Sequence, residues 1–300
     1  MEVWVFASVA AALFQTVRFM LQKVLSTGPL STAGSTFSRF AYSAPVVWAL
    51  LAVGLWWSDT ALPRLSLAFW TYACLGGLAQ ILATVCVVAL FRQRNFAVGI
   101  TFKKTEVILT AIVGMLFFAE DVSVIGWIAI LIGLVGVILL SRTPDLEEGF
   151  GAALSSRATA LGVTAGVLFA VSATTYRAAS LEIDSDMPVL RAGVTLACVI
   201  ALQCCSMAAW LWVKEPDQIT AVWRARKVAV WIGLTSLAGS FGWFLAFTLQ
   251  TAAYVKAVGQ IELIFSIIAT VLFFKEKITV RELWAVACLV VSILVFVLAV

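Results

Sequence analysis

The strongest constraint on the fold is a series of long apolar runs. Ten can be drawn, roughly at 3–22, 36–57, 66–91, 96–118, 122–141, 158–179, 187–212, 228–250, 252–274 and 279–299. About 20 apolar residues at 1.5 Å each span a hydrocarbon core of about 30 Å. A soluble amphipathic helix carries an apolar stripe of about three residues in seven, not an unbroken run. A transmembrane barrel needs short alternating segments, and they are absent from the sequence. Charged residues make up 12% of the 300, against about 25% in an average soluble domain. The expected fold is an all-α polytopic membrane protein of ten transmembrane helices, with the lipid bilayer as its first partner. Tryptophans near run ends (Trp4, Trp56, Trp57, Trp210, Trp212 and Trp223) fit an interfacial belt. Met1-Glu2 gives no basic region before the first run, so no cleavable signal peptide is expected.

The chain repeats itself. A shift of 156 residues lays TEVILTAIVGMLFFAED (105–121) on IELIFSIIATVLFFKEK (261–277), with seven of seventeen positions identical. Glu106 meets Glu262, and Glu120 meets Glu276. At nearby offsets Thr16-Val17-Arg18 matches Thr175-Tyr176-Arg177, and Arg39 matches Arg191. The longest link, SRTPDLEEGFGAALSSR at 141–157, separates five runs from five. The expected organisation is a first five-helix repeat over 1–141, a linker over 142–157 and a second repeat over 158–300. Five is odd, so the second copy enters the membrane from the opposite side. That makes an inverted-topology repeat, the plan of many secondary transporters.

Loop charge follows the inversion. Corresponding loops lie on opposite faces, so their basic residues should diverge. The 4–5 loop has no Lys or Arg, whereas its partner holds Lys275, Lys277 and Arg281. The 3–4 loop has Arg92 and Arg94, whereas the 8–9 loop has no basic residue before Lys256. The 1–2 loop has Lys23, whereas the 6–7 loop has only Glu182, Asp184 and Asp186. The 7–8 loop has Lys214, Arg224, Arg226 and Lys227 against Arg64 alone in 2–3, and the linker adds Arg142 and Arg157. The odd loops are the basic ones, which puts them in the cytoplasm and both termini outside.

Two five-helix halves, each with an Arg early in its second helix, resemble the drug/metabolite transporter superfamily, and its EamA-type branch most of all. The helix ends FFAEDVSVIGWIAILIGLVGVILL and FFKEKITVRELWAVACLVVSILVFVL carry the likeness, with Arg39, Arg191, Glu120 and Glu276 as its motif-like residues. The resemblance implies a secondary carrier or exporter of small metabolites in a bacterial inner membrane. It implies a central cavity lined by helices 1–4 and 6–9, with helices 5 and 10 peripheral. EamA-type members often carry a proline midway along helices four and nine, where this chain has charged residues. They are usually drawn with cytoplasmic termini, opposite to the loop count.

Ionisable residues inside apolar runs cost at least about 3 kcal/mol each and are functional candidates for that reason. Run four carries Lys103, Lys104 and Glu106, about 10–15 Å deep at helical rise. Lys103 and Glu106 share a helix face and are expected to pair. Run nine carries Lys256, Gln260 and Glu262. In an unbroken helix Lys256 and Gln260 share a face while Glu262 points elsewhere, so no single cavity would receive all three. Glu106 and Glu262 are candidates for proton or amine uptake, and Lys103 or Lys104 for meeting an anionic group. The competing reading is a fixed Lys103–Glu106 pair and a Glu262 tied to another helix. Gln15, Arg18 and Gln22 form one polar stripe on run one, and Arg177 lies on its counterpart. These are pathway candidates or helix-packing residues, and the arginines could also snorkel to the interface. Snorkelling is the expectation for Arg39 and Arg191. Glu120 and Glu276, at helix ends, are expected to be solvated or paired. Small-residue pairs at a spacing of four (Ala73 and Gly77, Ser236 and Ser240, Ala238 and Gly242) predict close helix packing.

All six cysteines fall in apolar runs without zinc spacing, and are expected to be small, buried and reduced. There is no histidine, so a proton relay would use carboxylates and a His-ligated metal site is excluded. No cofactor or metal is expected, and no basic patch points to nucleic acid. No Walker motif argues for ATP-driven pumping. The expected function is secondary active transport of a small polar metabolite, an amino acid or an organic ion, with protons as a candidate co-substrate and a homodimer as one assembly. The other classes are a membrane enzyme, for which no convergent nucleophile, base or metal set is present, and a sensor or scaffold without transport.

Overall fold

A computed structural model describes residues 2–26, 28, 30–91, 103–141, 157–265, 268 and 280–299. Among these every regular element is helical. The helices are α1 (Val3–Ser26), α2 (Thr32–Trp57), α3 (Leu67–Leu90), α4 (Glu106–Phe118), α5 (Val124–Ser141), α6 (Arg157–Leu181), α7 (Pro188–Lys214), α8 (Pro216–Arg224), α9 (Arg226–Leu249), α10 (Ala252–Val258) and α11 (Val280–Ala299). Six of them, α1, α2, α3, α6, α7 and α9, are long and apolar enough to cross a membrane. At 24 residues each, α1, α3 and α9 reach about 36 Å. The described residues make an all-helical bundle of the kind that spans membranes.

Local signals set the helix ends. Ser31 and Ser66 are N-caps, their hydroxyls each accepting from the backbone N–H three residues on at 3.0 Å. Pro188 and Pro216 open α7 and α8, where the missing N–H costs no helical bond. Ala119 ends α4 in the left-handed region at φ 50°. The chain then folds Glu120 back, and its N–H donates to the Gly114 carbonyl at 3.1 Å. The second helix end, LFFKEK with Lys275, Glu276 and Lys277, lies outside the described residues. So do Arg92, Arg94, Arg142 and most of the linker.

The helix α8 has no counterpart among the apolar runs. It is short and amphipathic, with Val222 buried and Trp223 exposed. Ser31 fastens its start, donating its hydroxyl to Glu215 Oε2 at 2.5 Å and its backbone N–H to Gln218 Oε1 at 2.8 Å. Two other expectations need correcting. Trp4 is buried rather than interfacial, and its indole N–H donates to Glu2 at 2.5 Å. Cys74 and Cys205 face out of the bundle, so burial is not shared by all six cysteines, though all six are free thiols.

The bundle is built from close helix pairs. The helix α1 packs along α9, α3 along α6, α2 against both α7 and α9, and α5 along α11. Small residues set the spacing. A Cβ on Gly242 of α9 would stand 2.8 Å from the Ala7 carbonyl oxygen and 3.0 Å from the Ala11 Cβ of α1. Gly166 of α6 faces the start of α4, where a Cβ would meet the Lys103 carbonyl at 3.2 Å. That approach seats the irregular backbone that carries the charged residues.

Candidate functional site

Two backbone turns build the site. Lys104 and Thr105 form a turn before α4 begins at Glu106. Gly259 and Gln260 form a turn between α10 and the helical residues 261–265. Irregular backbone at such depth is tolerated where it is buried in protein or lines a cavity. The second turn overturns the expectation for run nine. It rotates the residues beyond it, so that Lys256, Gln260 and Glu262 all line one small polar cavity with Gln15, Lys104 and Glu106.

Within it the charges pair crosswise. Lys256 Nζ lies 3.1 Å from Glu106 Oε1, and Lys104 Nζ lies 3.0 Å from Glu262 Oε2. Lys103 Nζ is 3.3 Å from Glu106 Oε2, an ion pair without hydrogen-bond geometry. Gln15 of α1 donates to Glu262 Oε2 at 3.0 Å and accepts from the Trp243 indole of α9 at 3.2 Å. Lys103, Lys104, Glu106, Lys256 and Gln260 are all buried. Rings cover the ammonium groups: Lys256 lies 4.9 Å from the Trp243 centroid, and Lys103 lies 5.1 Å from that of Phe169. Both parts of the static reading are therefore present, the Lys103–Glu106 pair and a Glu262 tied to another helix. They belong to one network and not to two separate supports.

A second polar cavity adjoins it, lined by Gln15, Arg18, Arg39, Gln80, Tyr176, Ser236, Ser240, Trp243 and Lys256 among others. Arg39 does not snorkel. It is 3% exposed and donates to Ser236 at 2.7 Å, Thr84 at 3.1 Å and Ser240 at 3.2 Å. Ser236 and Ser240, expected as packing residues, are thus its hydrogen-bond partners. Arg18 is also 3% exposed, with its guanidinium 4.4 Å from the Phe19 centroid. Gln22, the third member of that stripe, is buried and reaches the Ser35 carbonyl at 3.4 Å instead.

Arg177 is held elsewhere. Its Nε lies 2.5 Å from Glu120, and its Nη1 donates to the Phe247 and Gln250 carbonyls at 2.6 and 2.8 Å. It clasps the ends of α4 and α9 and lines neither polar cavity. Glu120 is accordingly paired.

Sequence reasoning missed Gln80, Tyr176 and Gln203. Gln203 donates to Gln80 at 2.9 Å and to the Tyr176 hydroxyl at 3.1 Å, joining α3, α6 and α7 beside Arg39. Lone amides inside apolar runs were the available signal. A roomier apolar cavity among the described residues, about 620 Å³ between α2, α7 and α9, is lined by Val47, Leu51, Leu196, Leu237 and similar residues. No ionisable side chain lines it, and its α9 residues lie on the opposite face of that helix from those beside the arginines.

No family model and no curated protein matches the chain. Twenty-eight solved chains do match. One, a protein crystal structure, has a TM-score of 0.72 at 14% identity, with 99% of this chain and 97% of the other covered. At that identity the likeness is one of fold alone, and it runs through the whole chain.

Proposed function

We propose that the protein is a secondary active transporter and not an enzyme. It would carry a small polar metabolite, an amino acid or an organic ion, by alternating access between two inverted five-helix halves in a bacterial inner membrane. Export is the direction that the EamA-type resemblance implies. One observation carries the reading. Two backbone turns, at 104–105 and 259–260, fall within one residue of the 156-residue repeat offset, and each brings charged side chains to the same buried place. Discontinuous helices meeting at a repeat interface are how many carriers build a midplane site.

Packing supports the same symmetry. Exchanging the halves turns the α1–α9 pair into the α6–α3 pair, and leaves α2–α7 and α5–α11 paired with themselves. The ion pairs cross between halves in reciprocal fashion, Glu106 to Lys256 and Lys104 to Glu262. They close the centre in this conformation, and a substrate would compete for them. Gln15, Lys103 and Gln260 complete the pathway.

Glu106→Gln and Glu262→Gln, reconstituted separately, test the carboxylates. If they carry protons, flux in at least one variant loses its dependence on pH. Unchanged pH dependence in both would remove them as proton carriers.

A further inference from the structure

We infer that the space between Arg18 and Arg39 binds the carboxylate of an organic anion. This deepens the transporter reading and rests on it for the anion's role as cargo. The argument begins with charge balance. Among the described residues the centre of the bundle holds five cations, Arg18, Arg39, Lys103, Lys104 and Lys256, and only two carboxylates, Glu106 and Glu262. Both carboxylates are engaged by lysines. Neither arginine has a described carboxylate within salt-bridge distance. Arg39 is held by three hydroxyls, which supply dipoles but no charge. Arg18 is buried with its Nε unpartnered.

Buried unpaired cations are costly, and a guanidinium fork fits a carboxylate in bidentate fashion. Both arginines and Lys256 line one cavity that has no carboxylate in its wall. A cationic substrate would be repelled there. The free volume, about 20 Å³, is room for little more than one water. A ligand enters only if α1 and α2 draw apart, and alternating access supplies such a movement.

The test uses purified full-length protein at constant ionic strength. Thermal unfolding is followed against sodium succinate and sodium benzoate, with succinamide and benzamide as uncharged counterparts. At least one carboxylate should raise the wild-type Tm saturably, by about 5–10 °C at a hundredfold excess over Kd, and its amide should not. Arg18→Gln should weaken that response at least tenfold without lowering the ligand-free Tm, since it removes an unpaired buried charge. Arg18→Lys should keep part of the response, and Lys23→Gln, at an exposed position, should keep all of it. Carboxylates no better than amides, or an Arg18→Gln response equal to wild type, would overturn the inference. The two readings fail separately. A carboxylate that binds through Arg18 but never crosses the bilayer would retire the carrier and leave the anion site. Flux of a neutral or cationic metabolite that is indifferent to Arg18→Gln would retire the anion site and leave the carrier.

Discussion

Lys256→Met is expected to destabilise the protein by about 3–5 kcal/mol and to abolish transport. Glu106 is 6% exposed and takes its best-formed ion pair from Lys256 at 3.1 Å. Removing the lysine leaves a buried carboxylate with only the poorly aligned Lys103, and an uncompensated buried charge carries a penalty of that size. Glu106→Gln added to Lys256→Met should restore part of the lost stability, because it removes the stranded carboxylate while leaving Lys103 without its own partner. Transport should stay absent, since the pair that crosses between the halves is gone. Thermal unfolding in detergent and flux in proteoliposomes read the two effects apart. Additive stability losses in the double variant would mean that the side chains act independently, against the network described here.

Gly242→Leu is expected to remove most of the folded protein. Even a bare Cβ at this position would stand 2.8 Å from the Ala7 carbonyl oxygen and 3.0 Å from the Ala11 Cβ. Both neighbours belong to the tightly held α1 surface, so neither can swing away as a flexible side chain would. Overpacking by one or two methylenes already costs about 1–3 kcal/mol, and leucine adds more. Because α1 also carries Gln15 and Arg18, parting α1 from α9 would dismantle the site along with the fold. Gly54→Leu on α2 is the control, since a Cβ there meets nothing within 4 Å. Yield of monodisperse protein on size exclusion should fall severely for Gly242→Leu and hold for Gly54→Leu. Equal yields would contradict the α1–α9 contact.

How much of this was legible in the sequence differs by element. The long helices follow directly from hydropathy, because in lipid every backbone group must be satisfied within the segment. The helix α8 was not legible, since nine residues with one buried valine leave no apolar run. The cluster of Lys103, Lys104, Glu106, Lys256, Gln260 and Glu262 could be read from the cost of charge at depth. Its geometry could not. Face arguments assume an unbroken helix, and the turn at Gly259 and Gln260 breaks that assumption. Arg39 looked like a snorkelling residue because it lies near a helix start. Its burial depends on Thr84, Ser236 and Ser240, 45 to 201 residues away in sequence. Arg177 was drawn into the pathway by its likeness to Arg18, yet their surroundings differ. One faces a polar cavity and the other binds Glu120. The Leu-Phe-Phe-x-Glu stretch at 116–120 thus ends in a structural clasp, and the buried ion pairs lie farther back along the helix.

The central claim is that two halves alternate around the charged centre to carry a substrate. Trans-stimulation tests it most directly. Proteoliposomes are preloaded with an unlabelled metabolite from a broad panel of amino acids and organic ions, and uptake of the same labelled compound is followed. A carrier predicts, for at least one compound, saturable uptake that preloading accelerates severalfold and that Lys256→Met abolishes. Uptake that is absent across the panel, or linear in concentration and indifferent to preloading, would contradict the account.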